Sequence, residues 1–99
     1  MLPVTAAGNR HAYYLYVVRH PKRDEIIARL KKRGIHLNVS YRWPIHIMEA
    51  YRWLGYRNGD LPVTEMLANE VFSLPMYPSL ASNTQEIVCH NLREIIQQL

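Results

Sequence analysis

The sequence predicts an α+β domain, in which a small, largely antiparallel sheet of about three strands carries helices packed on one face. Three observations lead there. Aromatic and β-branched residues crowd one early segment, strict alternation marks a second, and later stretches repeat apolar residues at helical spacing. Ninety-nine residues, 48% hydrophobic and 20% charged, fit a single domain spanning 1–99 and leave no room for two. A chain of this size buries roughly 60–65% of the surface its unfolded form exposes, so a modest stability is expected.

The first strand is predicted over Ala12 to Arg19, a run of Tyr, Leu and Val bounded by polar residues and proline. Tyr13, Leu15 and Val17 alternate with Tyr14, Tyr16 and Val18, so both faces are apolar. One layer of helices covers only one face. The face of Tyr14, Tyr16 and Val18 is therefore expected to await something outside the chain.

Pro21 suits a first helical turn, and Asp24 and Glu25 favour the positive end of the helix that follows. Ile26, Ile27 and Leu30 form its inward stripe, and Gly34 stops it. From Ile35 to Tyr41 apolar and polar residues alternate, which predicts a half-wet strand beside the first. A short helix is expected between Pro44 and Gly55, with Ile47, Tyr51 and Leu54 on one side and Gly55 as terminator. Asn58-Gly59-Asp60 marks a turn. Val63, Met66, Leu67 and Val71 then give an amphipathic helix starting near Pro62. Phe72 to Pro78 reads as extended. Ser82-x-x-Gln85 has capping-box form, and Val88, Leu92, Ile95, Ile96 and Leu99 stripe the last helix.

Composition removes several functions. One cysteine, Cys89, permits no internal disulfide and no cysteine metal cluster, and suits a reducing cytoplasm. No histidine lies three or four residues from another histidine or a cysteine, so metal-ligand spacing is lacking. The glycines at 8, 34, 55 and 59 are isolated and build no phosphate loop. Met1 to Gly8 lacks the features of a leader, and no apolar stretch approaches the roughly 18 residues of a membrane span. The net charge of +4 and pI of about 9.5 raise nucleic acid as a partner. The only basic run, Lys31-Lys32-Arg33, falls where a helix end wants cations, so that reading is disfavoured. Lys22, Lys31 and Lys32 all lie on a charged helix without the apolar pocket a Schiff-base lysine needs, so covalent cofactor attachment within the chain is not expected.

Ser40-Tyr41-Arg42-Trp43-Pro44-Ile45-His46 gathers phenol, guanidinium, indole and imidazole just past a strand end, a place where binding groups often sit. The same residues serve equally as structure. Tyr41 and Trp43 would then anchor the loop, His46 would cap the next helix, and Arg42 would be solvated.

Tyr13 to Arg19, Arg33-Gly34-Ile35, Tyr41 to His46, Leu54-Gly55-Tyr56, Gly59-Asp60-Leu61-Pro62 and Leu74-Pro75-Met76-Tyr77-Pro78 together resemble a family signature. The chain resembles the C-terminal small domain of the DegT/DnrJ/StrS sugar aminotransferases, pyridoxal phosphate (PLP) enzymes of the aspartate aminotransferase fold type. Tyr41, Pro44, His46 and Tyr51 match the family pattern, as do Glu65-x-x-Ala68 and Leu74-Pro75-x-x-Pro78. Ser40 and Arg42 stand where the family has histidine and proline, so no role passes to them.

The resemblance implies amino transfer, usually from glutamate, to a nucleotide-linked keto sugar for polysaccharide or antibiotic biosynthesis. It implies PLP and a homodimer in the parent enzyme. The large domain with the cofactor lysine is expected upstream of Met1, so no catalysis and no bound cofactor are expected of this chain alone. Tyr41 and His46 are the expected substrate-side contacts. Two other readings are a stand-alone protein- or nucleic-acid-binding module, and an inert truncated product.

Overall fold

The computed structural model describes residues 1–99 and has the α+β layout that the sequence predicts. Strand β1 (Tyr16–Arg19) pairs antiparallel with β2 (Val71–Leu74), in the register Tyr16↔Leu74, Val17↔Ser73, Val18↔Phe72 and Arg19↔Val71. Helices α1 (Arg23–Lys32), α2 (Pro62–Glu70) and α3 (Ser82–Gln97) complete the fold, together with two 3₁₀ helices, Ile45–Ile47 and Glu49–Leu54.

The core lies where α1 and α3 cover the sheet. Val18 and Phe72, an opposed pair on one sheet face, pack with Ile26, Leu30 and Ile95, while Tyr16, Ile27, Leu37 and Leu92 close around them. The face of Tyr16 and Val18 is thus occupied by the chain's own helices, which corrects the expectation that it stands open. Tyr14 is exposed, and Val17 points to the opposite side.

Strand β1 starts later than expected. Tyr13 has φ 51°, in the left-handed region, and its N–H donates to Nδ1 of His11 at 2.8 Å with the two rings 4.4 Å apart. The chain therefore turns at Tyr13 before it extends.

The second expected strand shrinks to one bridge, Asn38↔Ser73, and it joins β2 rather than β1. Its alternation survives as burial: Ile35, Leu37 and Val39 are half-buried against the core, and His36, Asn38 and Ser40 are exposed. A ladder does not extend because the next carbonyl along that edge of β2, Val71, lies toward the Arg23 guanidinium at 3.4 Å.

Helix α1 ends as expected, in a Schellman motif. Gly34 (φ +77°) donates to the Lys31 carbonyl, Ile35 donates to that of Leu30, and Ile35 packs beside Leu30. Two 3₁₀ helices replace the expected helix after Pro44, because Met48 adopts ψ 141° and breaks the run. Gly55 (φ +80°) still terminates it. Helix α2 turns Ala68 inward and leaves Val63 and Met66 exposed, against the expected stripe. The Ser82 capping box does not form. Ala81 is the N-cap and Ser82 the first helical residue, too far into the helix for its hydroxyl to cap. Arg33 binds α1 to α3 through Asn91 at 2.8 Å and through Glu94.

Candidate substrate-side site

Pro44 (φ −59°, ψ 128°) leads the aromatic loop into the Ile45–Ile47 turn, which drives His46 inward. His46 is 6% exposed, whereas Tyr41, Trp43 and Ile45 around it are largely exposed. Arg42 comes only to 3.9 Å from Asp24, a distance that gives an exposed pair little energy.

The partner of His46 lies across the fold. Its Nε2 is 3.0 Å from Oε1 of Glu65, in the first turn of α2, and the ring meets Tyr56 edge-on at 6.1 Å between centroids. The Glu65 carboxylate also accepts the Gly59 N–H at 2.8 Å and the Leu61 N–H at 3.3 Å. Leu61 is the N-cap of α2, so Glu65 reaches back to the cap amide much as a capping-box glutamate does. Gly59 (φ +95°) takes a conformation that other residues rarely adopt, and Asp60 accepts the Arg57 N–H at 2.8 Å to close the turn.

Electrostatics follow from these contacts. The hydrogen bond from His46 lowers the Glu65 carboxyl pKa below its ordinary value, the Gly59 N–H adds to this, and partial burial opposes it. Elsewhere, between α1 and α3, Arg33 lowers the Glu94 carboxyl pKa.

Of the two residues singled out from sequence, the structure buries His46 against a carboxylate and leaves Tyr41 exposed without a hydrogen-bond partner in the chain. In the sequence, Glu65 stands out only by matching the family pattern Glu65-x-x-Ala68. A glutamate early in a helix just after an Asn-Gly-Asp turn is the signal that marks it as a cap; its bond to a histidine nineteen positions away carries no local signal.

A separate apolar cleft of about 640 Å³ runs beside α3, lined by Tyr13, Tyr16, Leu74, Met76, Val88 and Leu92 among others. Lys22, Lys31 and Lys32 are exposed, and Lys22 Nζ donates to the Leu99 carbonyl at 2.7 Å. No helix is long and apolar enough to cross a membrane.

This architecture matches part of solved aminotransferase structures. The structure of Streptomyces venezuelae DesV in complex with a ketimine intermediate superposes with a TM-score of 0.89 at 36% identity, over 94% of this chain and 25% of that one. A DegT DnrJ EryC1 StrS aminotransferase from Brucella abortus gives 0.83 at 34% identity, over 95% and 25%. The profile of the DegT/DnrJ/EryC1/StrS aminotransferase family matches residues 1–93, and the chain belongs to that family. A dTDP-3-amino-3,4,6-trideoxy-alpha-D-glucose transaminase from Micromonospora megalomicea is 56% identical over 99 residues, 99% of this chain and 26% of the relative. The chain thus spans about a quarter of the length of the relatives it matches.

Proposed function

We propose that this chain is the C-terminal, substrate-side part of a PLP-dependent aminotransferase that acts on nucleotide-linked keto sugars, and that it does not catalyse alone. The observation that carries the reading is the 56% identity, along its whole length, to a quarter of a dTDP-sugar transaminase. PLP, when bound, supplies the electron sink for amino transfer. The three lysines here sit on exposed helix surface and do not fit covalent attachment of that group, so the residues holding it would belong to the rest of the enzyme.

What this chain contributes is orientation. Tyr41 and His46 would meet the substrate from a loop whose base is fixed by Glu65, with Tyr41 donating or accepting through its free phenol. The partners are the large cofactor-binding domain, the sugar nucleotide and an amino donor, in a cytoplasmic homodimer.

The test replaces the matching quarter of the Micromonospora relative with this chain. The chimera should aminate that relative's keto-sugar substrate, and the 99-residue chain alone should not. A folded, cofactor-loaded chimera without activity, or turnover by the chain alone, would overturn the reading.

A further inference from the structure

A carboxylate only accepts hydrogen bonds, so a neutral imidazole facing one must present the nitrogen that carries its proton. The nitrogen facing Glu65 is Nε2, at 3.0 Å. In the neutral ring Nδ1 is then the lone-pair nitrogen, and it makes no hydrogen bond within the chain although the residue is 94% buried. Buried polar atoms are nearly always paired. Nδ1 of His46 is not fully shut from solvent, unlike Oε2 of Glu70, which lies 2.9 Å from Nε of Arg19.

We propose that Glu65 is a positioning residue: by accepting His46 Nε2–H together with the Gly59 and Leu61 amides, it locks the imidazole so that Nδ1 is offered as acceptor to a hydroxyl or N–H of the sugar nucleotide. This rests on the proposed substrate-side role of His46. The carboxylate suits the task because one group fixes three things at once. It sets the tautomer, it ties the Ile45–Ile47 turn to α2, and it secures the 57–61 turn that follows Tyr56, whose ring lies edge-on to the imidazole. Freed from Glu65, the ring could exchange its proton between the two nitrogens, and the loop would lose its one side-chain hydrogen bond to α2.

The tautomer is read directly by ¹⁵N–¹H correlation of the His46 ring in the 99-residue chain at neutral pH. The expected pattern is a protonated Nε2 and an unprotonated Nδ1. An Nδ1–H tautomer, or a doubly protonated ring, overturns the proposal. Kinetics of the chimera supply the second readout. Glu65→Ala should raise KM for the keto-sugar substrate at least tenfold with a smaller change in kcat. Glu65→Gln should restore most of it, because its amide oxygen can take the place of Oε1. On a His46→Ala background, Glu65→Ala should change KM by less than twofold.

Where Glu65→Ala does not fold, Glu65→Asp, which withdraws the carboxylate by one methylene, takes its place with the same expectation. A lowered melting temperature with KM unchanged, or an equal effect with and without His46, shows a purely structural role and sinks the inference. His46→Ala separates the two levels. If it leaves KM unchanged, the substrate-side reading of His46 fails; if it raises KM while Glu65→Ala does not, only the positioning inference fails.

Discussion

The guanidinium of Arg23, only 2% exposed, donates through Nη1 to the carbonyl of Ala68. Arg23 is the first residue of α1, where its charge opposes that helix's own dipole, yet it serves the C-terminal end of α2, where orphan carbonyls want a cation. Its Nε is held 3.0 Å from Asp24, so the buried charge has both a carboxylate and carbonyl acceptors. Arg23→Met should cost about 2–3 kcal/mol, since it leaves a buried carbonyl without its donor. Lysine at this position should recover less than half, because a point ammonium cannot serve the carbonyls and Asp24 together. Urea denaturation of the isolated chain measures both; a loss below about 0.5 kcal/mol for Arg23→Met would remove Arg23 as the link between α1 and α2.

Glu65 makes stability depend on pH in a defined direction. Its folded pKa is lowered, chiefly by the His46 hydrogen bond and then by the Gly59 amide, so the folded state holds the carboxylate more firmly than the unfolded chain does. The resulting stabilisation is fully present above the ordinary glutamate pKa and disappears as pH falls through the lowered folded value. Glu94 beside Arg33 contributes with the same sign. Melting temperatures of wild type and Glu65→Gln, measured from neutral to acidic pH, should converge on acidification. A gap that stays constant over that range would show that the carboxylate's charge plays no part.

Gly34 offers a test of backbone strain alone. Its φ of +77° suits glycine, and a Cβ built there meets nothing within 4 Å, so substitution causes no clash. Gly34→Ala should therefore cost about 1 kcal/mol, the left-handed penalty of an L-residue. Because Ile35 and Leu30 touch where the Schellman turn closes, a much larger loss would mean that the turn itself rearranges and pulls Ile35 from the core. Denaturant midpoints with an unchanged slope distinguish the two cases.

Features written in neighbouring residues were legible in the sequence, and those made by distant contacts were not. Gly34 and Gly55 stop their segments because a chain reversal there needs a left-handed residue, which any local reading detects. The expected start of β1 falls too early, since Tyr13 and Tyr14 carry strong strand preference while the His11 ring captures the Tyr13 amide and turns the chain. Alternation from Ile35 to Val39 reported burial faithfully but not pairing, because one covered face imposes the same period whether or not a ladder forms. At the site, the aromatic loop was visible as a cluster of residue types. The bond that fixes His46 was not, because Glu65 is brought to it only by the path through Gly55 and the 57–61 turn.

Tyr41 separates folding from function most sharply. It is 72% exposed and makes no hydrogen bond within the chain, so its hydroxyl has no folding role to lose. Tyr41→Phe should change the stability of the isolated chain by less than about 0.5 kcal/mol, as exposed substitutions usually do. Any effect on catalysis in the chimera must then come from contacts made beyond these 99 residues. If the phenol meets a polar group of the sugar nucleotide, its removal should raise KM severalfold, in line with the roughly 0.5–1.5 kcal/mol of one neutral hydrogen bond. An unchanged KM, together with unchanged stability, would place Tyr41 outside the cleft. His46 would then have to reach the substrate without it, and the loop's contribution would narrow to the one imidazole that Glu65 holds.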